Sequence, residues 1–319
     1  MSTSTPSARA SGHTSPGGGA QSLASTTATQ TPTPAQAERF VQSTGRNKVD
    51  NYLPVVSHDG ANVAGKCEWT LHGAVTLPPD ELGAVAWVLI NEIMRARCGA
   101  AASVYDLWRS QTLLGTKIAV VEDHEQVLAF ASSVFLTSAP GMSQNGLQGH
   151  VAEWLWHLLT RDSAGVRLQP EPKGDVTDGG GDGHTVYQNA AGDLRFRLWE
   201  SKKYAGGGRT NPSLNRAYKQ LRKHGARYVA KIVGAHQSSA PDITALVSRL
   251  PAAWARGDQE VGVGVALATK QPLPSKPFKN MGGKLPRLDK PGQLRGLATA
   301  VTNFEELAAL VREYAWTAL

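Results

Sequence analysis

The sequence lacks most of the features by which the commonest protein classes are identified. It contains two cysteines, Cys67 and Cys98, whose wide spacing fits neither a disulfide framework nor a zinc site. No window approaches 18 uninterrupted apolar residues, so we expect no membrane-spanning helix. The phosphate-binding Gly-Lys-Ser/Thr pattern and the dinucleotide-binding Gly-x-Gly-x-x-Gly pattern are both missing, and we therefore do not expect this chain to use ATP.

The first 36 residues are rich in Ser, Thr, Gly, Pro and Ala and have no apolar segment of the kind that a signal peptide requires. We therefore predict a disordered tail over residues 1–36. The missing signal peptide and the two isolated cysteines together predict a cytoplasmic protein. We assign residues 37–140 to an N-terminal α/β region and residues 141–319 to a second domain.

Acidic residues are missing from a long stretch of that second domain. Residues 202–231 contain nine Lys or Arg and no Asp or Glu, and residues 270–295 contain seven Lys or Arg against Asp289 alone. The net charge of the chain is only +7, so its other residues are acidic overall. Concentrated positive charge predicts a polyanionic partner, most simply nucleic acid. An ordinary solvated surface is the alternative, and we leave it open for residues 270–295.

Residues 181–204 carry the most informative local pattern in the chain. Turn-forming residues at 189–193 separate two strand-like runs, which predicts a β-hairpin. A turn centred on Ala191 would set the register of the whole hairpin, because a slip of one residue would turn every side chain to the other face.

This register predicts a charged cluster at one end of the hairpin. Glu200 and Lys202 share the apolar strand face of Leu198, because side chains alternate between faces. Asp182 on the first strand then lies opposite Glu200. Buried charges are costly unless they are paired or bound to a metal, so two carboxylates and a lysine at one sheet end predict a divalent-metal site.

Residues 145–160 have the periodicity of an amphipathic helix, and Glu153 lies on the flank of its apolar stripe. His150 and His157 lie near Glu153 on the helix surface, which raises zinc binding as an alternative. Their spacing differs from the His-Glu-x-x-His pattern of metalloproteases. The distance of Glu153 from the hairpin, which suits a helix packed on the sheet, favours a role beside the hairpin carboxylates.

Local patterns predict the other secondary-structure elements. Strands are predicted at residues 67–75, 117–121, 165–168, 227–233 and 261–269. Helices are predicted from Pro78 onward and at residues 104–114, 211–224, 242–250 and 304–318, while residues 126–136 fit either type. We expect Gly225 and Pro251 to end two of these helices.

Residues 145–233 therefore run helix, three strands, helix, strand, with acidic residues in the first helix and near the second strand and Glu-x-Lys on the third. This arrangement resembles the core of the PD-(D/E)xK nuclease superfamily, the restriction-endonuclease-like fold. Gly-Asp-Gly-His at 181–184, Trp-Glu-Ser-Lys-Lys-Tyr at 199–204 and the basic helix after them are most similar to the nuclease subunit of the Hachiman anti-phage defence system, which works beside a helicase. The resemblance implies an α/β fold with a mixed central sheet flanked by helices and an αβββαβ core.

By this resemblance Glu153, Asp182 and Glu200 would hold Mg²⁺ or Mn²⁺, and Lys202 would position or activate the attacking water. Hard cations prefer oxygen ligands, and phosphodiester hydrolysis requires stabilisation of the charge that develops on the phosphorus centre. The implied substrate is DNA and the implied protein partner is a helicase. The candidate nucleic-acid contacts on the basic stretch are Lys203, Arg209, Arg216, Lys219, Gln220, Arg222 and Lys223.

The chain departs from the superfamily pattern at the first carboxylate of the hairpin. Gly181 precedes Asp182 at the place where the superfamily has proline. Asp175 and Asp178, in the glycine-rich loop before the hairpin, compete with Asp182 for the ligand role. The sequence alone does not choose among these three aspartates.

Other readings of the same residues stay open. Glu200 and Lys202 could form a simple ion pair on one strand face with no catalytic role. Gln220 and Tyr228 correspond in type to DNA-holding residues of some related nucleases, and could instead only cover the elements on which they lie. The whole domain could also be a non-catalytic nucleic-acid-binding subunit on a degenerate nuclease fold.

Overall fold

A computed structural model of the protein describes residues 31–60, 63–113, 121–135, 144–172, 182–204, 211–317 and 319. Its helices are α1 Pro34–Thr44, α2 Pro79–Cys98, α3 Ala102–Trp108, α4 Val121–Phe135, α5 Gln144–Arg161, α6 Asn211–Ala235, α7 Pro241–Arg256, α8 Met281–Lys284 and α9 Phe304–Trp316. Its strands are β1 Val55–Asp59, β2 Glu68–Val75, β3 Val166–Leu168, β4 Gly183–Gln188, β5 Leu194–Tyr204, β6 Val261–Thr269 and β7 Leu294–Val301.

The described strands form one mixed sheet with the order β1-β2-β7-β6-β5-β4-β3. The central strands β2, β7, β6 and β5 run parallel to one another, whereas β1 at one edge and β4 and β3 at the other pair antiparallel. Among the described residues, helices pack against the sheet in three hydrophobic clusters. The predicted α/β class, with a mixed central sheet flanked by helices, is therefore confirmed.

The centre of the sheet is formed by β6 and β7, both of which are almost completely buried. β6 has the continuous apolar run that is typical of a strand covered on both faces, and it spans the residues predicted for it. No strand is predicted at residues 294–301, where the structure places β7. Its apolar run is short and follows a long basic segment, so only the strands on either side of it, β6 and β2, identify it as part of the sheet.

The sheet joins the regions on either side of residue 140. β2 pairs with β7 in parallel from Glu68 opposite Arg295 onward. Helix α2 packs on α9, where the rings of Trp87 and Tyr314 meet edge to face with centroids 6.2 Å apart. The predicted regions 37–140 and 141–319 thus share one sheet, within a compact unit that spans Thr31–Leu319.

Two predicted helix ends are wrong. Helix α6 continues through Gly225, so residues 227–233 are helical and not a strand. Gly225 lies against Trp254 of α7, and a β-carbon at this position would lie 2.3 Å from the Trp254 ring. The glycine therefore serves helix packing and does not end the helix. Pro251 lies inside α7, which ends instead at Gly257 with a positive φ of 63°.

The N-terminal region also departs from the prediction. Helix α1 begins at Pro34, inside the predicted tail, because Thr33 and Gln36 form a capping box. Residues 1–30 of that tail lie outside the described part of the chain. Val121 begins α4 and does not end a strand, whereas the other residues of that predicted strand are not described. Among the described residues, no helix is both long enough and apolar enough to cross a membrane.

Candidate active site

The hairpin of β4 and β5 has the predicted register. Gly183 pairs with Trp199, and the ladder continues to Gln188 opposite Leu194. Asn189 closes the turn, because its side-chain oxygen accepts hydrogen bonds from the backbone N–H groups of Ala191 at 3.0 Å and Asp193 at 2.8 Å. Local turn chemistry therefore sets which residues meet at the far end of the hairpin.

Asp182, Glu200 and Lys202 meet at that far end. Asp182 lies one residue beyond the last strand pair, and its Oδ2 accepts a hydrogen bond from the backbone N–H of Ser201 at 2.5 Å. The ammonium group of Lys202 donates to Glu200 Oε1 and, at 2.9 Å, to the carbonyl of Ser201. The same ammonium nitrogen lies 3.8 Å from Asp182 Oδ2. The structure thus brings together three of the four predicted catalytic residues.

Burial and mutual repulsion perturb the ionisation of this cluster. Glu200 has no exposed surface. Burial raises the pKa of Glu200, and the nearby charge of Asp182 raises it further, although Lys202 acts in the opposite direction. Burial lowers the pKa of Lys202, but Asp182 and Glu200 outweigh this effect and leave the pKa above its ordinary value. Lys202 is therefore a firmly protonated cation between Asp182 and Glu200, and Glu200 holds its own proton more tightly than an ordinary glutamate does.

The cluster offers oxygen ligands to a cation. Glu200 Oε2 is buried and has no hydrogen-bond partner among the described residues. An unpaired buried carboxylate oxygen is costly, and a hard divalent cation would satisfy it. The described residues contain no group of three His, Cys, Asp or Glu arranged to hold a metal ion. Asp182 and Glu200 offer two carboxylates, and an ion such as Mg²⁺ is commonly held by one or two carboxylates and completes its shell with water and substrate oxygens.

Glu153 lies in a different layer of the fold from the cluster. Its helix α5 packs on the sheet face of Trp199, where the rings of Trp156 and Trp199 lie 5.5 Å apart. Glu200 and Lys202 point to the opposite face, because they alternate with Trp199 along β5. The negative charge of Glu153 raises the pKa of Lys202, but as the smallest contribution. Glu153 therefore acts on the cluster at longer range than Asp182 and Glu200 do.

Lys203, a predicted nucleic-acid contact, points away from Lys202. Its ammonium group donates to Asn145 Oδ1 and Gln148 Oε1 of α5, both at 2.6 Å. These bonds hold the end of β5 against α5. Arg209, together with the competing aspartates Asp175 and Asp178, lies outside the described residues.

The remaining predicted contacts lie along α6. This helix contains no acidic residue. Its exposed side carries Arg216, Lys219, Arg222, Lys223, Arg227 and Lys231, which we call the basic face. Within the described part of the chain, none of these six forms an ion pair with a carboxylate. Gln220 is half-buried on the same helix. An uncompensated row of cations spaced three or four residues apart is a surface suited to a polyanion.

A cleft of about 860 Å³ lies between α6 and the Asp182 end of the cluster; Asp182 lines it, whereas Glu200 and Lys202 do not. Asp182 and His184 line one side of this active-site cleft, and Tyr228 and Lys231 of α6 line the other. Tyr228 and Asp182 line the same cleft, and burial together with the charges of Glu200 and Asp182 raises the pKa of Tyr228.

Lys231 was not among the predicted nucleic-acid contacts. The acid-free stretch of the sequence ends at this residue, which was a usable signal. Because the predicted helix ended at residue 224, Lys231 was not assigned to the helix face on which the structure places it. In the structure it follows Lys219, Lys223 and Arg227 at intervals of four residues and reaches the active-site cleft.

The histidines of the zinc alternative are packed among aromatic rings. His150 and His157 are both buried, and Trp154 contacts both of them, with ring centroids 6.5 Å and 5.4 Å away. Burial lowers the pKa of each histidine to about 4, so both are neutral at pH 7. Their environment is that of a hydrophobic core in the described part of the fold, with no third ligand placed to share a metal ion.

The fold and the cluster define an α/β protein with a buried carboxylate–lysine group beside a basic helix. No protein-family model, curated protein or solved structure matched the chain.

Proposed function

We propose that this protein is a metal-dependent nuclease that hydrolyses phosphodiester bonds in DNA. The single observation that carries the proposal is the convergence of Asp182, Glu200 and Lys202, of which Asp182 lines the active-site cleft. A buried carboxylate pair with an adjacent lysine suits phosphodiester chemistry, which needs a divalent cation and a second positive charge at the phosphate.

The order of elements around the cluster supports the same proposal. Helix α5 is followed by the three antiparallel strands β3, β4 and β5, then by α6 and, after α7, by β6 parallel to β5. This order agrees with the αβββαβ core that the PD-(D/E)xK resemblance implies, although its last strand is β6 and not residues 227–233. The match lies in element order and strand direction, and the assignment to that superfamily is part of the proposal.

The residues of the cluster would have different roles in the reaction. Asp182 and Glu200 would hold Mg²⁺ or Mn²⁺, with Glu153 contributing charge at longer range. Such an ion supplies Lewis-acid polarisation of the phosphate and lowers the pKa of bound water. Lys202, held by Glu200 and the Ser201 carbonyl, places a fixed ammonium group beside the phosphate, where negative charge develops during the reaction.

The basic face of α6 would position the DNA. Lys231 stands at the cleft, and the other cations continue along the helix from it. Contacts from Lys and Arg to phosphates are independent of sequence, so we expect binding to be strongly salt-dependent and weakly selective.

The defence role and the helicase partner come from the Hachiman resemblance. A nuclease that was active alone would damage the DNA of its own cell, so we propose that a helicase encoded nearby activates or guides it. Cleavage assays should therefore be run with and without the product of the adjacent gene.

The test compares two neighbouring lysines on opposite faces of β5. Lys202→Ala should lower cleavage of plasmid or linear DNA with Mg²⁺ or Mn²⁺ by about 100-fold or more, the usual loss when one preorganised electrostatic group is removed. Lys203→Ala removes the same charge one residue away and should retain most of the activity, because its ammonium group contacts α5. Equal activities in the two variants would contradict the mechanism.

A specific observation favours a second candidate, a nucleic-acid-binding subunit without catalysis. Lys202 already engages Glu200 Oε1, and the described residues supply no third metal ligand, so the cluster can be read as a structural ion pair. The basic face needs no metal. This candidate predicts equal DNA affinity in Mg²⁺ and in EDTA, with no cleavage in the presence of the helicase.

A further inference from the structure

A second cleft, of about 830 Å³, lies on the sheet face opposite Glu200 and Lys202. Its floor is built from residues that alternate along β2, β7, β5 and β4, including Arg295, Arg197 and Thr185. The turn of the β4–β5 hairpin and the segment at Pro291 and Gly292 form its walls. We call it the arginine cleft, and nothing in the proposed nuclease chemistry uses it.

The arginine cleft exists because no described helix covers this part of the sheet. Helix α5 ends at Arg161, so that Leu159 and Thr160 stand at the edge of the cleft. Below them, β6 has Gly264, where a β-carbon would lie 2.2 Å from the indole ring of Trp199. Because Gly264 has no side chain, the Trp199 ring fits over β6. The space above the neighbouring strands stays open.

The positive charges in the arginine cleft are not fully compensated. Arg195 pairs with Asp193 at 2.9 Å, and Arg295 pairs with Glu68. Arg197 lies between them on the floor and has no carboxylate partner among the described residues. A partly buried cation without a counter-ion is costly, and the cost disappears when an anion binds.

Arg197 is held in a fixed orientation. Its Nη2 donates to the hydroxyl of Tyr187 at 2.8 Å and to the carbonyl of Gly292 at 2.9 Å. The guanidinium lies over the Tyr187 ring, 4.5 Å from its centroid. Its Nε is buried, out of reach of a ligand in the cleft, and makes no hydrogen bond in the described structure, whereas Nη1 donates to no described residue. The side chain is thus preorganised, and donors remain for a ligand.

We infer that the arginine cleft binds a small-molecule anion that carries a phosphate or a carboxylate group. Because both N–H groups of Nη2 are engaged and Nε is buried, an anion would accept hydrogen bonds from Nη1 and be held by the guanidinium charge. The volume of the cleft lies within the range of about 300–1,000 Å³ that small-molecule sites occupy. The floor of the cleft is built on strands, which are rigid enough to hold a compact ligand in one orientation.

The experiment measures binding to the full chain by thermal shift and calorimetry in the absence of divalent metals. The probes are inorganic phosphate, adenosine monophosphate and citrate, each at about 10 mM, where a site with a Kd of about 1 mM is nearly saturated. A ligand of the folded state raises the melting temperature. We expect at least one probe to do so, and the probe that binds more tightly tells phosphate from carboxylate.

Three variants locate the binding. Arg197→Gln should weaken binding at least ten-fold. Ala164→Trp fills the exposed edge of the cleft, leaves Arg197 in place, and should have the same effect even if the first variant is poorly folded. Arg167→Gln removes an exposed cation on β3, outside the cleft, and should bind like the wild type. Lys202→Ala should also bind normally.

Two results would overturn the inference. One is that none of the three probes changes the melting temperature of the wild-type protein. The other is that binding occurs but persists in both Arg197→Gln and Ala164→Trp, since the anion would then be bound elsewhere.

Discussion

Among single residues, Glu200 is the one whose burial and ionisation bear most directly on the proposed metal binding. Glu200 is fully buried. Its Oε1 accepts a hydrogen bond from Lys202, and its Oε2 has no hydrogen-bond partner in the described structure. Its raised pKa means that the folded protein holds a proton on Glu200 more tightly than the unfolded chain does. The ionised form, which a metal requires, becomes available only at higher pH.

We predict a pH dependence with a definite sign. Without metal, the contribution of Glu200 favours folding at low pH and is lost as the pH rises from the ordinary Glu pKa through the raised one. Metal binding displaces the proton, so the increase in melting temperature caused by Mg²⁺ or Mn²⁺ should grow over the same pH window.

The measurement is a series of melting curves between about pH 5 and pH 9, with and without metal. Glu200→Gln cannot titrate, so it should flatten the metal-free profile and lose the metal response. A metal response in that variant as large as in the wild type would show that the ion binds without Glu200.

Among secondary-structure elements, α6 departs most from its prediction and contributes most to the proposed interface. Its buried side packs on β5 and α7, and its exposed side presents the basic face along the whole helix. Gly225 lies at the contact with α7, where Trp254 occupies the space of a side chain. One side of α6 therefore packs closely on α7 at Gly225, and its other side presents the continuous row of cations.

We predict opposite effects for two glycine substitutions in α6. Gly225→Ala should destabilise the protein by about 1–3 kcal/mol, because overpacking against Trp254 outweighs the better helix propensity of alanine. Gly234→Ala is the matched control, because its β-carbon would meet nothing within 4 Å, and it should stabilise by up to about 1 kcal/mol. Urea denaturation of both variants checks this, and a neutral Gly225→Ala would refute the close packing.

A second prediction for α6 concerns the salt dependence of DNA binding by the basic face. If DNA lies along it, the double substitution Lys219→Gln with Lys223→Gln should reduce the slope of log affinity against log salt by about 2, close to one unit per lost phosphate contact. Fluorescence anisotropy at several salt concentrations gives the slope. Arg249→Gln, which removes an exposed cation of α7 that pairs with Glu260, should leave the slope unchanged. A slope that falls equally in both variants would place the DNA elsewhere.

Across the complete chain, the sheet makes the two regions around residue 140 interdependent. β7 lies between β6 and β2, so removing residues 31–140 would expose the long edge of β7 and the face of α9 that packs on α2. An unpaired, apolar strand edge promotes aggregation.

We therefore predict that residues 141–319 expressed alone will not melt cooperatively. Co-expression with residues 31–140 should restore a soluble complex, because each described strand lies wholly within one of the two fragments. Circular dichroism melting of the fragment and of the complex makes the comparison. A fragment that melts cooperatively by itself would mean that the boundary near residue 140 separates independent domains.

Much of the site could be predicted because its determinants are local. Asn189 and the alternation along residues 194–204 set the hairpin register, and that register alone places Asp182 beside Glu200. The acid-free stretch likewise showed where positive charge would concentrate. What Lys203 contacts was not predictable, because Asn145 and Gln148 approach it from a helix more than 50 residues earlier in the chain.

The sequence by itself determined the hairpin, the amphipathic helix α5, strand β6 and the charge asymmetry, since each follows from side-chain periodicity or turn chemistry within a short window. Only the tertiary structure decided that α6 runs through Gly225, that β7 lies at the sheet centre, and that Glu153 stands in a different layer from Glu200. The reason is physical. A helix end, a buried strand and the direction of a side chain depend on the packing partner, and residues distant in sequence supply that partner.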